Sequence, residues 1–284
     1  MPNIAESLRE ASETLHSSGI TQSRREANSL LALALEKDKT FLIAHPEYEL
    51  SGVEEKRFKD FLQRRASREP FQHIAGRQEF YGLEFAVNRN VLIPRPETET
   101  LVETAIEILQ AKENSRFCEI GIGSGCIAIS ILHEIETASA VGFDISPQAL
   151  EIAERNAATH RVLDRLEVKI SNVFETLRNE KFDLIVSNPP YIPNRDIENL
   201  QAEVRDFEPL AALTDGKDGL SIIEKIVIEA PKFLNEDGFL LLEIGFGQAD
   251  KVRSMFNAEI WRDVDILPDL QGIPRTVKAQ ISKM

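Results

Sequence analysis

The sequence predicts an α/β protein: a doubly wound, seven-stranded, mostly parallel sheet with a last antiparallel strand, preceded by a small all-helical domain and a β-hairpin linker. Three observations carry this. Amino-terminal apolar residues recur at three- and four-residue intervals, the signature of amphipathic helices. From about residue 97, short apolar runs alternate with helical stretches, which implies βαβ units and a parallel sheet covered on both faces. The last two apolar runs are separated by too little chain for a crossover helix, so they pair antiparallel.

In order along the chain, "IAESLREASETLHSSG" spaces Ile4, Leu8, Ala11 and Leu15 on one helical face and stops at Gly19. "SRREANSLLALALE" and "GVEEKRFKDFLQRRASRE" repeat the pattern, with Pro46 and Pro70 as breaks, so a helical domain over residues 1–75 is expected. "EFYGLEFAVN" is aromatic-rich and interrupted by Gly82, which suggests a hairpin linker over 76–96. Strands are expected at 116–121, 139–144, 166–171, 182–188, 238–245, "WRDVDIL" and "RTVKAQIS". Helices are expected near 97–112, 125–135, 147–158, 219–233 and 247–257, giving a catalytic domain over 97–284. The stretch from Ile192 to Gly219 reads as a long loop, and such loops are often functional.

Bulk composition narrows the possibilities. A chain of 284 residues with 42% hydrophobic content can bury a full core and suits two domains. The acidic amino terminus lacks the apolar segment of a secretory signal, and no apolar run approaches 18 residues, so a cytoplasmic protein without membrane contact is expected. Cys118 and Cys126 are eight apart, neither a metal pattern nor a disulfide framework; free thiols and no metal are expected. The net charge of −14 is uneven: residues 1–90 hold 13 Lys+Arg against 14 Asp+Glu, the remainder 20 against 33. An acidic second half repels a polyphosphate backbone, which disfavours a nucleic-acid substrate there.

Two motifs carry chemistry. "CEIGIGSGC" puts Gly121, Ile122, Gly123, Ser124 and Gly125 between a strand and a helix. Such glycines let a ligand approach the main chain, and the helix N-terminus offers unpaired N–H groups. Cys126 breaks the dinucleotide G-x-G-x-x-G/A spacing, and the Lys of a phosphate-binding P-loop is missing. Asp144 ends the second strand of this region, 23 residues after Gly121, where an acceptor-only carboxylate can take both hydroxyls of a ribose. The bland alternatives are an unliganded βα turn and a solvated helix cap. After the third strand, Asn172 has a side-chain oxygen able to accept from an adenine amino group, against a plain loop role.

The second motif is "VSNPPYIP" (186–193). Pro189 forces Asn188 into extended backbone, and both prolines fix φ and lack an N–H. The Asn188 side-chain carbonyl, with main-chain carbonyls around Pro189 and Pro190, forms a rigid acceptor cluster suited to an NH₂ group. Holding both protons frees a delocalised nitrogen lone pair for attack on a methyl carbon, and preplaced carbonyls stabilise the charge that builds on nitrogen. Tyr191 is expected to wall the substrate group; a proline-stiffened turn with Tyr191 in the core is the alternative.

The glycine loop after Glu119 resembles the S-adenosylmethionine loop of class I methyltransferases, and N-P-P-Y behind it resembles amino-methylating enzymes acting on DNA adenine, rRNA guanine or protein glutamine. "FQHIAGRQEFYGLEFAVNRNVLIPRPETE" (71–99), "DFEPLAAL" (206–213), "LLLEIGFGQ" (240–248) and "DLQGIPRTV" are similar to the release-factor glutamine N5-methyltransferases. The resemblance covers essentially the whole chain. It implies a class I methyltransferase fold and methylation of the glutamine amide in the Gly-Gly-Gln motif of peptide chain release factors, in translation termination. It assigns S-adenosyl-L-methionine to Gly121–Gly125, Asp144, Asn172, Val173 and Asn188, and the glutamine amide to Asn188 and Pro189. Pro190 and Tyr191 adjoin that amide, and Arg95 to Glu99 shape the rim. It also implies substrate recognition by the helical domain and a monomer. Asn172 and Val173 depart from the Asp and aromatic common in relatives. The rival is an amino methyltransferase of rRNA or DNA bases; a non-catalytic cofactor-binding protein would not need the acceptor cluster. "IPRPETE" also supports a bland role for Thr98 or a neighbour, capping the following helix.

Overall fold

The computed structural model describes residues 1–269 and 271–282. Leu270, inside "DLQGIPRTV", and Lys283 and Met284, at the end of the expected catalytic domain, lie outside them.

The chain divides into two compact units, Met1–Gly76 with Gln201–Phe207, and Arg77–Leu200 with the chain from Glu208 onward. The first unit is helical: α1 (Ile4–Ser17), α2 (Ser23–Leu35), α3 (Lys39–Ala44), α4 (Gly52–Ala66) and α5 (Phe71–Ala75). Asn3 caps α1 with a reciprocal bond from Glu6, and Ser51 caps α4 the same way with Glu54. Ile4, Ala11 and Leu15 of the expected stripe are fully buried, while Leu8 packs at the edge of that core. The sequence pattern did not show α3, which is only six residues long and is capped by Asp38.

Residues 201–207 contribute a helical turn, Ala202–Arg205, to this unit. There Arg65, buried on α4, pairs with Glu26 of α2 and with Glu203 at 2.9 Å, and Arg68 reaches the other Glu203 oxygen at 2.7 Å. Burial pushes the Glu203 carboxyl up, but hydrogen bonds from its own backbone and from Arg68 and Arg65 outweigh it and leave the group below the usual range. A depressed folded value means stabilisation that is present above the unfolded carboxyl range and lost as pH falls through the folded value. Glu203→Gln is therefore expected to destabilise the protein by roughly 2–3 kcal/mol at neutral pH. That is below the ~3–5 kcal/mol of a buried charge left with no partner, because Glu26 remains. Urea melts at neutral and acid pH check this: the gap between parent and variant should close on acidification.

The second unit begins with the hairpin β1 (Arg77–Phe80) and β2 (Leu83–Ala86), whose two turn residues, Tyr81 and Gly82, both have positive φ. That is the twist-matched two-residue turn of tight hairpins. After it come α6 (Glu99–Leu109), β3 (Arg116–Ile120), α7 (Cys126–Glu134), β4 (Ser139–Asp144), α8 (Pro147–Thr159), β5 (Leu166–Ile170) and β6 (Phe182–Ser187). The unit closes with α9 (Ser221–Glu229), β7 (Leu234–Glu243), α10 (Ala249–Arg253), β8 (Trp261–Pro268) and β9 (Pro274–Ile281). The sheet order is β5-β4-β3-β6-β7-β9-β8. All neighbours are parallel except that β9 runs antiparallel to both β7 and β8. The strands of the sheet centre are nearly continuous apolar runs because both faces are covered, the hallmark of a doubly wound sheet. The long 192–219 stretch is not structureless: it holds short helical turns at Asn194–Asn199, Ala202–Arg205 and Leu210–Leu213.

Candidate active site

Strand order reverses between β3 and β6, so the loops leaving their carboxyl ends part and open a crevice. A cavity of about 340 Å³ lies there, bounded by the loops after β3, β4, β5 and β6.

The glycine loop forms its floor. Gly121, Gly123 and Gly125 all have positive φ. A Cβ on Gly121 or Gly123 would meet no atom within 4 Å, so the main chain is open to the cavity. Gly125 serves packing instead and is not on the cavity: its Cβ would stand 2.7 Å from Ile129 Cδ1 and 3.4 Å from Ala153 Cβ, where α7 and α8 close up. The loop donors are largely used within the protein. Gly121 and Ile122 N–H donate to the Phe143 carbonyl, Gly123 N–H to Asp144 Oδ2 and Gly125 N–H to the Ile122 carbonyl. The N-terminus of α7 is met by Glu119, whose buried carboxyl accepts from Ala128 N–H at 2.8 Å. Burial pushes that carboxyl well above its usual range, with the Ala128 bond opposing. The Ile122 side chain packs against Gly142, where a Cβ would lie 2.2 Å from it, and Ser124 is buried with its carbonyl held by Asn156.

Asp144 stands on the cavity at the end of β4, bonded through Oδ2 to Gly123 N–H and through Oδ1 to Ser146 N–H. Each oxygen keeps a further lone pair, which suits a pair of vicinal hydroxyls. Asn172 and Val173 also line the cavity. Val173 is buried at φ +58°, an uncommon setting for a β-branched residue, and its carbonyl is held by the Ser171 hydroxyl. Cys118 and Cys126 are free thiols, as expected.

Asn188, Pro189 and Pro190, after β6, also line the cavity. Among the described residues neither Asn188 Oδ1 nor the Pro189 carbonyl accepts a hydrogen bond, so both acceptors are uncommitted. Tyr191 differs from its expected place. It does not line the cavity; its ring packs on the core of that sheet face and its hydroxyl donates to Glu243 Oε1 at 3.2 Å. Burial and the neighbouring Glu243 push its hydroxyl pKa up. Its carbonyl accepts from Gln248 Nε2 at 2.9 Å. Arg95 lines the rim and is paired at 2.5 Å with Glu208, which also accepts from Ile93 N–H. Burial raises the Glu208 carboxyl while Arg95 opposes the shift.

Two further buried acids at the site escaped sequence reasoning, and Thr98, read as part of the rim and as a helix cap, takes a different part. Thr98 does not cap α6; its hydroxyl donates to Glu243 Oε2 at 2.7 Å and accepts from Asn188 Nδ2 at 3.2 Å. Glu243, alone in the apolar "LLLEIGFGQ", and Glu208, beside Asp206 in "DFEPLAAL", are buried carboxyls. For Glu243 a lone acid in an apolar run was the available signal, because such a group is almost never buried without partners.

With one antiparallel strand slotted beside the last, the sheet order is that of class I methyltransferases, which draw their methyl group from S-adenosylmethionine, and the open glycine loop and Asp144 fit that cofactor. Comparison with a methyltransferase from Pyrococcus furiosus, 17% identical with a TM-score of 0.54 over 78% of this chain and 98% of that one, shows the same fold. Two family models match, the PrmC N-terminal domain at residues 6–76 and the methyltransferase small domain at 98–204. The release factor glutamine methyltransferase of Geobacter sulfurreducens is 43% identical over 263 residues, covering 93% of this chain and 91% of the relative. That of Cereibacter sphaeroides is 40% identical over 277 residues, covering 98% of each. The chain belongs to the release factor glutamine methyltransferase family.

Proposed function

We propose that the chain methylates the side-chain amide nitrogen of the glutamine in the Gly-Gly-Gln motif of peptide chain release factors. The observation that carries this is the pair of uncommitted acceptors, Asn188 Oδ1 and the Pro189 carbonyl, of two residues that line the same cavity as the glycine loop. S-adenosylmethionine supplies a methyl group on a positively charged sulfur. Gly121, Ile122, Gly123 and Ser124 would bear its methionine portion, Asp144 its ribose, and Asn172 and Val173 the side of its adenine. Asn188 and Pro189 hold the two amide protons, so the nitrogen lone pair is directed into the cavity as the nitrogen turns tetrahedral. The same carbonyl dipoles, fixed before reaction, stabilise the positive charge that develops there. No base is needed before attack, since the proton leaves afterwards.

The helical unit is the candidate for gripping the release factor. Its basic stretch is largely neutralised: of Lys56, Arg57, Lys59, Arg64, Arg65 and Arg68, all but Lys56 sit in ion pairs with carboxylates. That supports a protein substrate over a phosphate backbone. Incubation with labelled S-adenosylmethionine and, separately, purified release factor, rRNA and DNA tests the choice; label confined to nucleic acid would overturn it. Asp144→Ala is expected to raise the dissociation constant for S-adenosylmethionine about 10–100-fold, the range of one or two lost charge-assisted hydrogen bonds, as titration calorimetry would show.

A further inference from the structure

We infer that Thr98 and Glu243 form a proton-ordered relay that sets which end of the Asn188 amide faces the substrate. The inference rests on the reading that Asn188 receives the glutamine amide. An asparagine amide is nearly symmetric in shape but opposite in polarity at its two ends. Only the oxygen end can accept a substrate NH₂ proton; the NH₂ end would confront it donor to donor. Something must therefore fix the flip, and nothing in Asn188 itself does so.

The ordering starts at Glu243, at the carboxyl end of β7 and only 2% exposed. Its two oxygens each receive a hydroxyl, Thr98 Oγ1 at 2.7 Å and Tyr191 at 3.2 Å. Burial pushes the Glu243 carboxyl up, while the Thr98 and Tyr191 hydroxyls and Arg275 oppose the shift. With a hydroxyl donating to each oxygen it acts as a carboxylate, which can only accept, so the single Thr98 proton is committed to it. Thr98 is likewise 2% exposed, so water does not compete for the hydroxyl. With its proton spent, Thr98 Oγ1 can only accept from Asn188, 3.2 Å away, and the amide must present Nδ2 to it. Oδ1 is then turned to the cavity side. The polarity of one buried acid thus passes through one hydroxyl to the group that meets the substrate. Thr98 and Glu243 are positioning residues, acting through Asn188. The same Glu243 holds Tyr191, so it steadies both ends of the Asn188–Tyr191 segment.

Replacement of Glu243 by glutamine reverses or scrambles the relay, since a glutamine NH₂ placed at Thr98 donates and leaves the threonine proton free to point at Asn188 Oδ1. Thr98→Val deletes the hydroxyl at constant shape, and Thr98→Ser restores it. The test measures kcat, KM for release factor, S-adenosylmethionine affinity by calorimetry and melting temperature for these variants, for the Thr98→Val/Glu243→Gln double variant and for Asn188→Ala. Thr98→Val and Glu243→Gln should each lower kcat at least tenfold with cofactor affinity within twofold of the parent. Thr98→Ser should recover kcat to within about threefold, and the double variant should be no slower than Thr98→Val, because the relay is already cut. Normal turnover in Thr98→Val, or a Thr98→Ser variant as slow as Thr98→Val, overturns the relay. If Asn188→Ala itself turned over normally, the underlying role of Asn188 would fall instead; a dead Asn188→Ala beside a normal Thr98→Val would sink the relay alone.

Discussion

Asn188→Ala is expected to lower methyl transfer by at least about 10²–10³-fold, the range found when one preorganised oriented dipole is removed from a transition state. S-adenosylmethionine should still bind within a few-fold of the parent. The two effects separate because the fold assigns them to different walls. The glycine loop and Asp144 lie after β3 and β4, on one side of the strand-order reversal, whereas Asn188 leaves β6 on the other. Truncation to alanine leaves Pro189 and Pro190, so the loop keeps its stiffness and only the side-chain acceptor is lost. Single-turnover transfer of labelled methyl, run beside calorimetric titration of the cofactor, reads both quantities. Near-normal turnover would refute the acceptor mechanism.

The second large effect is expected at Gly219, which touches no reacting atom. Its φ is +78°, and a Cβ there would stand 2.1 Å from the Tyr191 carbonyl oxygen and 2.7 Å from its carbon. That oxygen is already held on another side by Gln248 Nε2. It cannot retreat without dragging the backbone, and Pro190 and Pro189 transmit the movement to Asn188 because their φ angles do not flex. Gly219→Ala should therefore lose kcat by about a hundredfold, the penalty of a displacement near 1 Å at a reacting centre. It should also lower the melting temperature by several degrees through left-handed strain of about 1–2 kcal/mol plus the clash. Gly216→Ala is the control: its φ is +76° but no atom lies within 4 Å of the new methyl. It should show the strain without the loss of kcat. Equal activity losses at the two positions would mean that backbone strain, not contact with the Tyr191 carbonyl, is responsible.

The sheet was legible because its signals are local. The strands are short apolar or alternating runs of the right length, and six of the seven both start and stop within two residues of the sequence reading; β7 starts four residues early, at Leu234, because its polar beginning masks the period. α3 was missed because six residues give too few turns for a helical period to emerge. The site divides along the same line. Gly121, Gly123, Asp144, Asn188 and Pro189 advertise themselves through residue type at a strand end. Glu208 and Glu243 do not, and Thr98 reads only as rim or cap, because their chemistry lies in partners 52 to 145 residues away in the chain. Gly125 and Tyr191 were legible as important but not in role, since both act through what they pack against. No pattern along one strand shows that a glycine is answering a neighbouring helix.

The excursion of residues 201–207 has a consequence in time as well as space. Arg65 and Arg68 are made early, but Glu203, their shared carboxylate, emerges from the ribosome 138 and 135 residues later. At about 5–20 residues per second the wait is roughly 7–28 s, far longer than helix formation needs. The five amino-terminal helices can assemble at once, yet through that interval Arg65 of α4 has only Glu26, and Arg68, just past the end of α4, lacks its carboxylate. The unit named first in the sequence is finished only after most of the second has been translated.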